Sequence, residues 1–287
     1  MTQNSPLCGK TEHLITLQNT SQPVAGNKEH VCWKGDLPAP AVRNANELTS
    51  VLADPACDCT GPVYSMYRDV ARSSSDRRWL SEQEIRFDIT VIPPRDLNGE
   101  YMKTKGHYHP ENPAGTGYPE IYEVLEGNAH YLLQSKDLTD VVMIPAKAGD
   151  VVVIPPGYGH VTINPSQTTV LQMANLVSSA FQSDYKAYED LRGAAFYEMN
   201  TGIFTKNPLY PPESRLRHVR KDQTASLENT TTNHLYELVE LRAPVLGFLN
   251  HPEEFPVILE GQFQGYFFVQ DICKGGTRSV HPKEYYC

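Results

Sequence analysis

The residues most able to do chemistry lie in a short central part of the sequence. His107 and His109 flank Tyr108, Glu120 opens the next apolar run, and His160 ends the turn sequence PPGYGH. Because side chains alternate along a strand, His107 and His109 point to one face and Tyr108 points to the other. The glycine-rich turn delivers His160 to the start of a further strand. Three imidazoles and one carboxylate can therefore converge inside a barrel.

Such a donor set predicts a metal centre. Neutral imidazole nitrogens with one hard carboxylate oxygen suit Fe²⁺, Zn²⁺, Mn²⁺ or Ni²⁺, and they leave coordination positions open for water or substrate. The absence of cysteine from the set argues against a closed structural zinc site. An isolated His-x-His pair would favour two unrelated surface histidines, but a glutamate and a third histidine at these spacings favour the metal centre.

The elements that position these residues are predicted to be strands. From Ile85 onward, short β-rich runs recur between prolines and glycines at intervals of roughly 8 to 12 residues, which is typical of an all-β sandwich or barrel. The runs are IRFDITVI, IYEVLEG, AHYLLQ, VVMIPA, DVVVIPPG, VTINP and TTVLQMANLV. Two helices are predicted beside this block. One follows Asn44 as its N-cap, and the other runs from Ser183 and stops at Gly193.

The overall composition disfavours several classes of function. The chain has 287 residues, and 25 Lys and Arg against 34 Asp and Glu give a net charge of -9, which disfavours binding to nucleic acid. No run approaches the length of about 18 apolar residues that crosses a bilayer, so no membrane partner is expected. The chain does not start with a basic end and an apolar block, so we expect a cytoplasmic protein whose six cysteines are free thiols.

The same residues match much of both signature motifs of the cupin superfamily. The second motif fits at Gly149, Pro155, Gly157, His160 and Asn164, and the first closes with Glu120 and Gly127. The first motif departs at Tyr101, where a glycine is usual, and in the ten residues 110–119, where the general pattern has a much shorter gap. This insert is rich in Pro and Gly, so we expect a loop at the barrel mouth that could serve as a lid.

The cupin resemblance implies an all-β fold, the double-stranded β-helix or jelly-roll barrel, with short flanking helices and extensions at both ends. The residues around the motifs resemble more narrowly the cupin-type glucose-6-phosphate isomerases of archaea and some bacteria, over about residues 58–195. This resemblance rests on residues 61–68, 85–92, 104–110, 119–127, 132–134 and 183–185. It implies an aldose-ketose isomerase of glycolysis or gluconeogenesis that interconverts glucose 6-phosphate and fructose 6-phosphate.

The resemblance also implies roles for individual residues and one divalent metal ion per subunit. The metal ligands fall on His107, His109, Glu120 and His160. The phosphate-binding positions fall on Tyr64, Thr90, Thr104, Gly106 and Tyr122. Tyr185 corresponds to a tyrosine that neighbours the sugar, and it joins Glu120 as an expected catalytic residue. Tyr158 and Gly159 stand where the family often has an aromatic residue and alanine.

The chemistry of these residue types agrees with an isomerase. Moving hydrogen between C1 and C2 of a sugar through an enediol needs a base, and Glu120 at a partly dry site would contribute roughly 10² to 10⁴ in rate. We expect Glu120 to loosen from the ion when sugar binds, because a tight metal ligand cannot act as a base. A direct hydride shift between the two carbons is the alternative. The tyrosine and threonine hydroxyls supply neutral donors for phosphate, and Gly106 permits close approach of a ligand to its backbone.

Two other functions fit the same barrel. One is an isomerase or iron dioxygenase that acts on another small substrate. The other is a non-catalytic cupin that binds a metal or a sugar. A panel of substrates separates the first from a sugar-phosphate isomerase, and binding without turnover identifies the second.

The expected organisation of the chain has three parts. Residues 1–58 form an N-terminal arm that takes part in a homodimer contact, residues 59–200 form the barrel with the metal site, and residues 201–287 form a C-terminal extension packed on the barrel. Lys105 is expected to be solvated, because its hydrated ammonium prefers water. Glu123 is expected to be a surface charge on the outward face of its strand.

Overall fold

The computed structural model describes residues 31–219, 225–226 and 234–255, and strands dominate this part of the chain. The strands are β1 (Ala41–Asn44), β2 (Pro62–Tyr67), β3 (Ile85–Ile92), β4 (Glu120–Glu126), β5 (Asn128–Ser135), β6 (Asp140–Lys147), β7 (Asp150–Ile154), β8 (Tyr158–Ile163), β9 (Leu171–Ser178), β10 (Phe196–Glu198), β11 (Phe204–Lys206), β12 (Arg215–His218) and β13 (Ala225–Ser226). The α-helices are α1 (Ser74–Glu82), α2 (Lys186–Asp190) and α3 (Glu237–Glu240). Short 3₁₀ helices lie at Ala45–Glu47, Thr49–Val51, Pro244–Leu249 and Pro252–Glu254.

Two sheets enclose a shared interior. The larger sheet has the strand order β1-β2-β3-β9-β4-β7-β13, and the smaller sheet has the order β12-β6-β5-β8. The paired strands of both sheets are antiparallel except β12 and β6, which run parallel. Neighbours in each sheet are often distant in sequence, as expected for a jelly roll. The prediction of an all-β cupin barrel with short helices beside it is confirmed.

Side-chain alternation in the larger sheet builds two separate cores. On β4, Tyr122 and Val124 lie in the barrel interior, whereas Ile121 lies in the outer core. The interior core also contains Tyr131 and Leu133 from the smaller sheet. Both β7 and β9 are buried on both faces; β7 is accordingly apolar after Asp150, whereas β9 also buries the polar side chains of Gln172 and Asn175.

The outer face of the larger sheet is covered by residues from 234–255. Leu235 and Phe248 are buried there. Glu123 also lies beneath this segment, 2% exposed, and its carboxylate accepts hydrogen bonds from His234 Nδ1 at 2.8 Å and Leu235 N at 2.7 Å. Glu123 does face outward as predicted, but the prediction of a surface charge is wrong. A segment 111 residues later in the sequence covers it.

The helices differ in part from those that the sequence predicts. The segment after Asn44 forms two 3₁₀ helices instead of an α-helix. The downstream helix is present as the single turn α2, and the chain reverses at Gly193 with a φ of 112°. The helix α1 has no counterpart among the predicted elements. Its N-cap is Ser73, whose side chain accepts a hydrogen bond from Asp76 N at 3.0 Å.

The cysteines depart from the expectation of six free thiols. Cys57 and Cys59 are joined by a disulfide, so the expectation is wrong for this pair. Cys8, Cys273 and Cys287 lie outside the described residues. Among the described residues, no helix has the length and apolar character needed to span a membrane.

Candidate metal centre

The two histidines that flank Tyr108 are held against the start of β8. His107 and His160 exchange backbone hydrogen bonds, with His160 N donating to His107 O at 3.0 Å and His107 N to His160 O at 3.3 Å. Tyr108 N donates to Asp184 O at 2.9 Å, which fixes the other edge of this segment. Backbone hydrogen bonds on both sides therefore hold the His-x-His segment extended, and its side chains alternate between two faces as predicted. Both imidazoles face the barrel interior with His160.

Glu120 reaches the same place from the first position of β4. Its Oε2 atom lies 3.4 Å from His109 Nε2 and 3.4 Å from His160 Nε2. His107 Nε2 and His109 Nε2 are 3.2 Å apart. One ligand atom from each of the four residues lies within 4.8 Å of every other. The structure thus brings together the whole predicted ligand set.

The spacing of these donor atoms fits a single divalent ion. Two ligand atoms each about 2.1 Å from one ion, at angles between octahedral and tetrahedral, lie roughly 3.0 to 3.4 Å apart. The three donor separations of 3.2, 3.4 and 3.4 Å fall in that range. His109 Nδ1 lies 2.9 Å from the carbonyl oxygen of Tyr118, so this nitrogen carries the proton and Nε2 presents its lone pair to the site. The residues present fit the metal.

Burial keeps the three imidazoles ready to bind a cation. It lowers the pKa of His109 to about 4, and it lowers the pKa values of His107 and His160 well below the usual histidine range. The rings are therefore neutral at physiological pH and offer their lone pairs. Burial raises the pKa of Glu120 to about 8, because a carboxylate loses hydration in this pocket. A bound divalent cation favours the ionised carboxylate and offsets that cost.

The four donors line one cavity that opens to solvent. Four of the residues predicted to hold a phosphate line the same cavity, namely Tyr64, Thr90, Thr104 and Tyr122. Tyr185 lines it as well. The Thr104 hydroxyl accepts a hydrogen bond from Thr162 N at 2.9 Å, which leaves its proton free to be donated to a ligand. The Tyr122 hydroxyl lies beside the metal donors, 3.1 Å from His160 Nε2.

Gly106 differs from the other predicted phosphate-binding residues. Gly106 is not among the described residues that line the cavity. Its φ is 81°, and a Cβ atom placed on it would lie 2.6 Å from Val161 Cγ2 and 2.7 Å from two ring carbons of Tyr188. Its lack of a side chain is therefore required by close packing beside the histidine pair. Only its backbone remains available to a ligand.

Charged residues in the cavity wall were missed by the sequence interpretation. Arg68 Nη1 and Arg86 Nε both contact Asp88 Oδ2, at 2.5 and 2.9 Å, and both arginines line the cavity. Asp88 is fully buried beneath them. The alternation of β3 places Arg86, Asp88 and Thr90 on one face, so the signal was present in the sequence. No motif includes these charged residues.

Lys105 is a second charged residue in the wall, and the expectation that it is solvated is wrong. Its side chain is 13% exposed, and Nζ lies 2.5 Å from Glu189 Oε1. Nζ also lies 5.5 Å from the ring centre of Tyr185, and the Arg43 guanidinium lies 5.7 Å from the same ring. Two cations therefore flank the tyrosine that was expected to neighbour the sugar.

The insert between His109 and Glu120 is a loop, as predicted. Asn112 orders it, because its side-chain oxygen accepts hydrogen bonds from Ala114 N and Thr116 N, both at 3.0 Å. The Asn112 amide also donates to Asn250 O at 3.1 Å and to Glu253 Oε2 at 2.9 Å. These contacts attach the loop to residues from 234–255. The expected role as a lid stays a prediction.

Comparisons with known proteins identify the family of the chain. A model of the glucose-6-phosphate isomerase (GPI) family matches residues 42–214, more than half of the chain. Glucose-6-phosphate isomerase of Thermococcus gammatolerans is 37% identical over 83 residues, and that of Pyrococcus abyssi is 34% identical over 83 residues. Each match covers 29% of this chain and 41% of the relative, so the chain spans about two fifths of the length of these relatives.

One solved structure with a similar fold is oxalate decarboxylase from Lactobacillus farciminis. It has a TM-score of 0.31 and 21% sequence identity, and the match covers 42% of this chain and 30% of that one. A likeness at this level has no bearing on activity.

Proposed function

The chain belongs to the glucose-6-phosphate isomerase (GPI) family, and from that premise we propose that it is a metal-dependent aldose-ketose isomerase that interconverts glucose 6-phosphate and fructose 6-phosphate. The observation that carries the proposal is the convergence of His107, His109, Glu120 and His160 at one cavity. The same cavity has a wall of hydroxyl donors suited to a sugar phosphate. The reaction belongs to glycolysis or gluconeogenesis.

A single divalent ion per subunit, Fe²⁺, Zn²⁺, Mn²⁺ or Ni²⁺, would be held by the three imidazoles and Glu120. When bound, it would polarise the oxygens on C1 and C2 of the sugar and stabilise negative charge that develops there. The neutral state of the buried histidines supports this assignment, because protonated imidazoles cannot ligate a cation.

Glu120 is proposed as the base that moves the proton between C2 and C1 through an enediol. It lies in a water-poor pocket, 4% exposed, where a positioned carboxylate can take a proton from one carbon and return it to the other. The alternative is a direct hydride shift, in which Glu120 stays a ligand. Isomerisation in deuterated water separates the two, since retention of all the migrating hydrogen contradicts the proton transfer.

The phosphate is proposed to lie against the hydroxyls of Tyr64, Thr90, Thr104 and Tyr122 and the backbone N–H of Gly106. The Tyr64 hydroxyl accepts a long hydrogen bond of 3.3 Å from Lys105 N, so its own proton can be donated to a phosphate oxygen. Tyr185 is proposed to contact the sugar, because its ring lies 5.4 Å from that of His107 and lines the cavity.

The experiment that tests the proposal measures isomerisation of fructose 6-phosphate by a coupled assay before and after chelation. We expect turnover to disappear with chelation and to return on addition of one of the four metals. Glu120→Gln is expected to lower turnover by about 10² to 10⁴. Binding of fructose 6-phosphate without turnover under all four metals would favour a sugar-binding protein. Turnover of another small substrate alone would favour the second enzymatic alternative.

The organisation and setting of the protein are also proposals. Residues 1–58 are proposed as an arm, 59–200 as the metal-bearing barrel and 201–287 as an extension on the barrel, in a cytoplasmic homodimer. The pairing of β1 with β2 and the cover over the outer core support the contact of both flanking parts with the barrel. Light scattering after gel filtration tests the dimer, and a mass of one chain would contradict it. Residues 1–30 and 256–287 lie outside the described part.

A further inference from the structure

A buried amide contacts the carboxylate of the metal centre. Asn175 Nδ2 donates a hydrogen bond to Glu120 Oε1 at 2.7 Å. Asn175 is 2% exposed and Glu120 is 4% exposed, so water does not compete for this bond. Neither the motifs nor the family resemblance pointed to Asn175, which lies in the mostly apolar strand β9.

The sheet register fixes where this amide lies. Asn175 pairs with Tyr122 on one neighbouring strand and with Asp88 on the other. It is therefore held in the centre of the larger sheet, two positions along from the row that pairs Glu120 with Val177. An amide at this position can reach the carboxylate without a change in the backbone.

The two carboxylate oxygens of Glu120 consequently have different partners. Oε1 accepts from Asn175, whereas Oε2 faces His109 Nε2 and His160 Nε2 at 3.4 Å each. A carboxylate with both oxygens unbonded could rotate about its last torsion, which has a broad energy profile. The hydrogen bond from Asn175 selects the orientation that presents Oε2 to the other donors.

We propose that Asn175 is a positioning residue that orients the Glu120 carboxylate so that Oε2 joins the three histidines in holding the cation. Asn175 lines the same cavity, and the role assigned to it acts through the Glu120 carboxylate. Outer partners of this kind usually change metal affinity or activity by about 10- to 100-fold when removed. The effect on metal affinity stands on the geometry alone. The effect on turnover rests on the proposed isomerase function.

The same two strands supply a matched control. Gln172, also on β9, donates from Nε2 to Glu126 Oε2 on β4 at 2.6 Å and is 1% exposed. This bond also joins a side-chain amide to a glutamate across the same pair of strands, but its carboxylate is not in the four-residue metal group. Gln172 Oε1 accepts a further hydrogen bond from Cys32 N at 2.8 Å, so loss of the Gln172 amide gives an upper bound on what such a buried contact contributes to the fold.

The test compares Asn175→Leu with Gln172→Met, two changes that remove an amide and keep much of the side-chain volume. Metal-free proteins are titrated with Zn²⁺ against a coloured chelator, and folding is checked by circular dichroism. We expect Asn175→Leu to weaken Zn²⁺ binding by about 10- to 100-fold and Gln172→Met to leave it within about two-fold. Equal Zn²⁺ affinity of folded Asn175→Leu and the unchanged protein would overturn the proposal. Asn175→Ser, whose hydroxyl is too short for the bond, gives the same test if the leucine variant does not fold.

A second measurement separates positioning from general damage. Asn175→Leu is combined with Glu120→Gln, and the Zn²⁺ affinity of the double variant is compared with that of Glu120→Gln. If Asn175 acts through the carboxylate, its loss in this background changes the affinity by less than about two-fold. A full 10-fold effect in both backgrounds would contradict the proposal.

Turnover gives the third readout. With fructose 6-phosphate, we expect kcat of Asn175→Leu to fall by about 10-fold or more while KM stays nearly constant, because the phosphate donors are untouched. If the unchanged protein has no isomerase activity, the proposed function fails while the two Zn²⁺ measurements still decide the role of Asn175.

Discussion

Replacing Gly106 with alanine tests why a glycine precedes the histidine pair. The backbone there has a φ of 81°, and a residue with a Cβ atom costs about 1 to 2 kcal/mol in this left-handed region. The added methyl group would lie 2.6 Å from Val161 Cγ2 and 2.7 Å from the ring of Tyr188, residues that are 1% and 0% exposed. Overpacking in such a core costs about 1 to 3 kcal/mol more. We therefore expect a loss of about 2 to 5 kcal/mol, a large part of the stability of an ordinary protein.

Gly149 provides the control for this change. Its φ is 88°, and nothing lies within 4 Å of a Cβ placed on it, so Gly149→Ala should cost only the backbone part, about 1 to 2 kcal/mol. Urea denaturation of both variants, followed by tryptophan fluorescence, gives the two losses. Equal losses would refute the packing argument. A greater loss for Gly106→Ala supports the packing argument.

Two further predictions concern the parts that support the barrel. The hydrogen bond to Glu123 raises the pKa of His234 above 6.5, so its stabilisation is complete below pH 6.5 and disappears as pH rises through the folded-state pKa. The His234 side chain is 59% exposed, so His234→Gln should lower the free energy of unfolding by under about 1 kcal/mol at low pH. Urea denaturation of both proteins measures this difference, and a difference that grows as pH rises would contradict the prediction. Lys103→Met leaves the buried Glu100 carboxylate unpaired and should cost about 3 to 5 kcal/mol, whereas a loss below about 1 kcal/mol would show that the pair is dispensable.

The parts of the fold that follow from local periodicity were predictable. Alternation along β4 places Glu120 and Tyr122 inside and Glu123 outside, and the structure agrees. The solvent exposure of charged side chains could not be predicted from this periodicity. Glu123 is covered by His234 and Leu235, and Lys105 is paired with Glu189, contacts between residues far apart in sequence that no periodicity encodes.

The candidate site also contains residues that the sequence predicted and residues that it did not. Residue types and spacing predicted the four metal donors, and the structure places them within 4.8 Å of one another. Asn175 and the Arg68–Asp88–Arg86 group were missed, although Asn175, Arg86 and Asp88 are polar residues within mostly apolar strands and Arg68 directly follows β2. Such residues are costly to bury without a partner, so their presence in β-rich runs is a signal for a site even where no motif includes them.

The central claim is that three histidines and one glutamate hold a single divalent ion. X-ray absorption at the zinc edge of metal-free protein loaded with one equivalent of Zn²⁺ tests it most directly. We predict the multiple-scattering pattern of imidazole rings, with nitrogen at about 2.0 to 2.1 Å and carboxylate oxygen at about 2.0 to 2.2 Å. The imidazole pattern should weaken in His160→Ala. A zinc shell without imidazole, or one with sulfur at about 2.3 Å, would contradict the account.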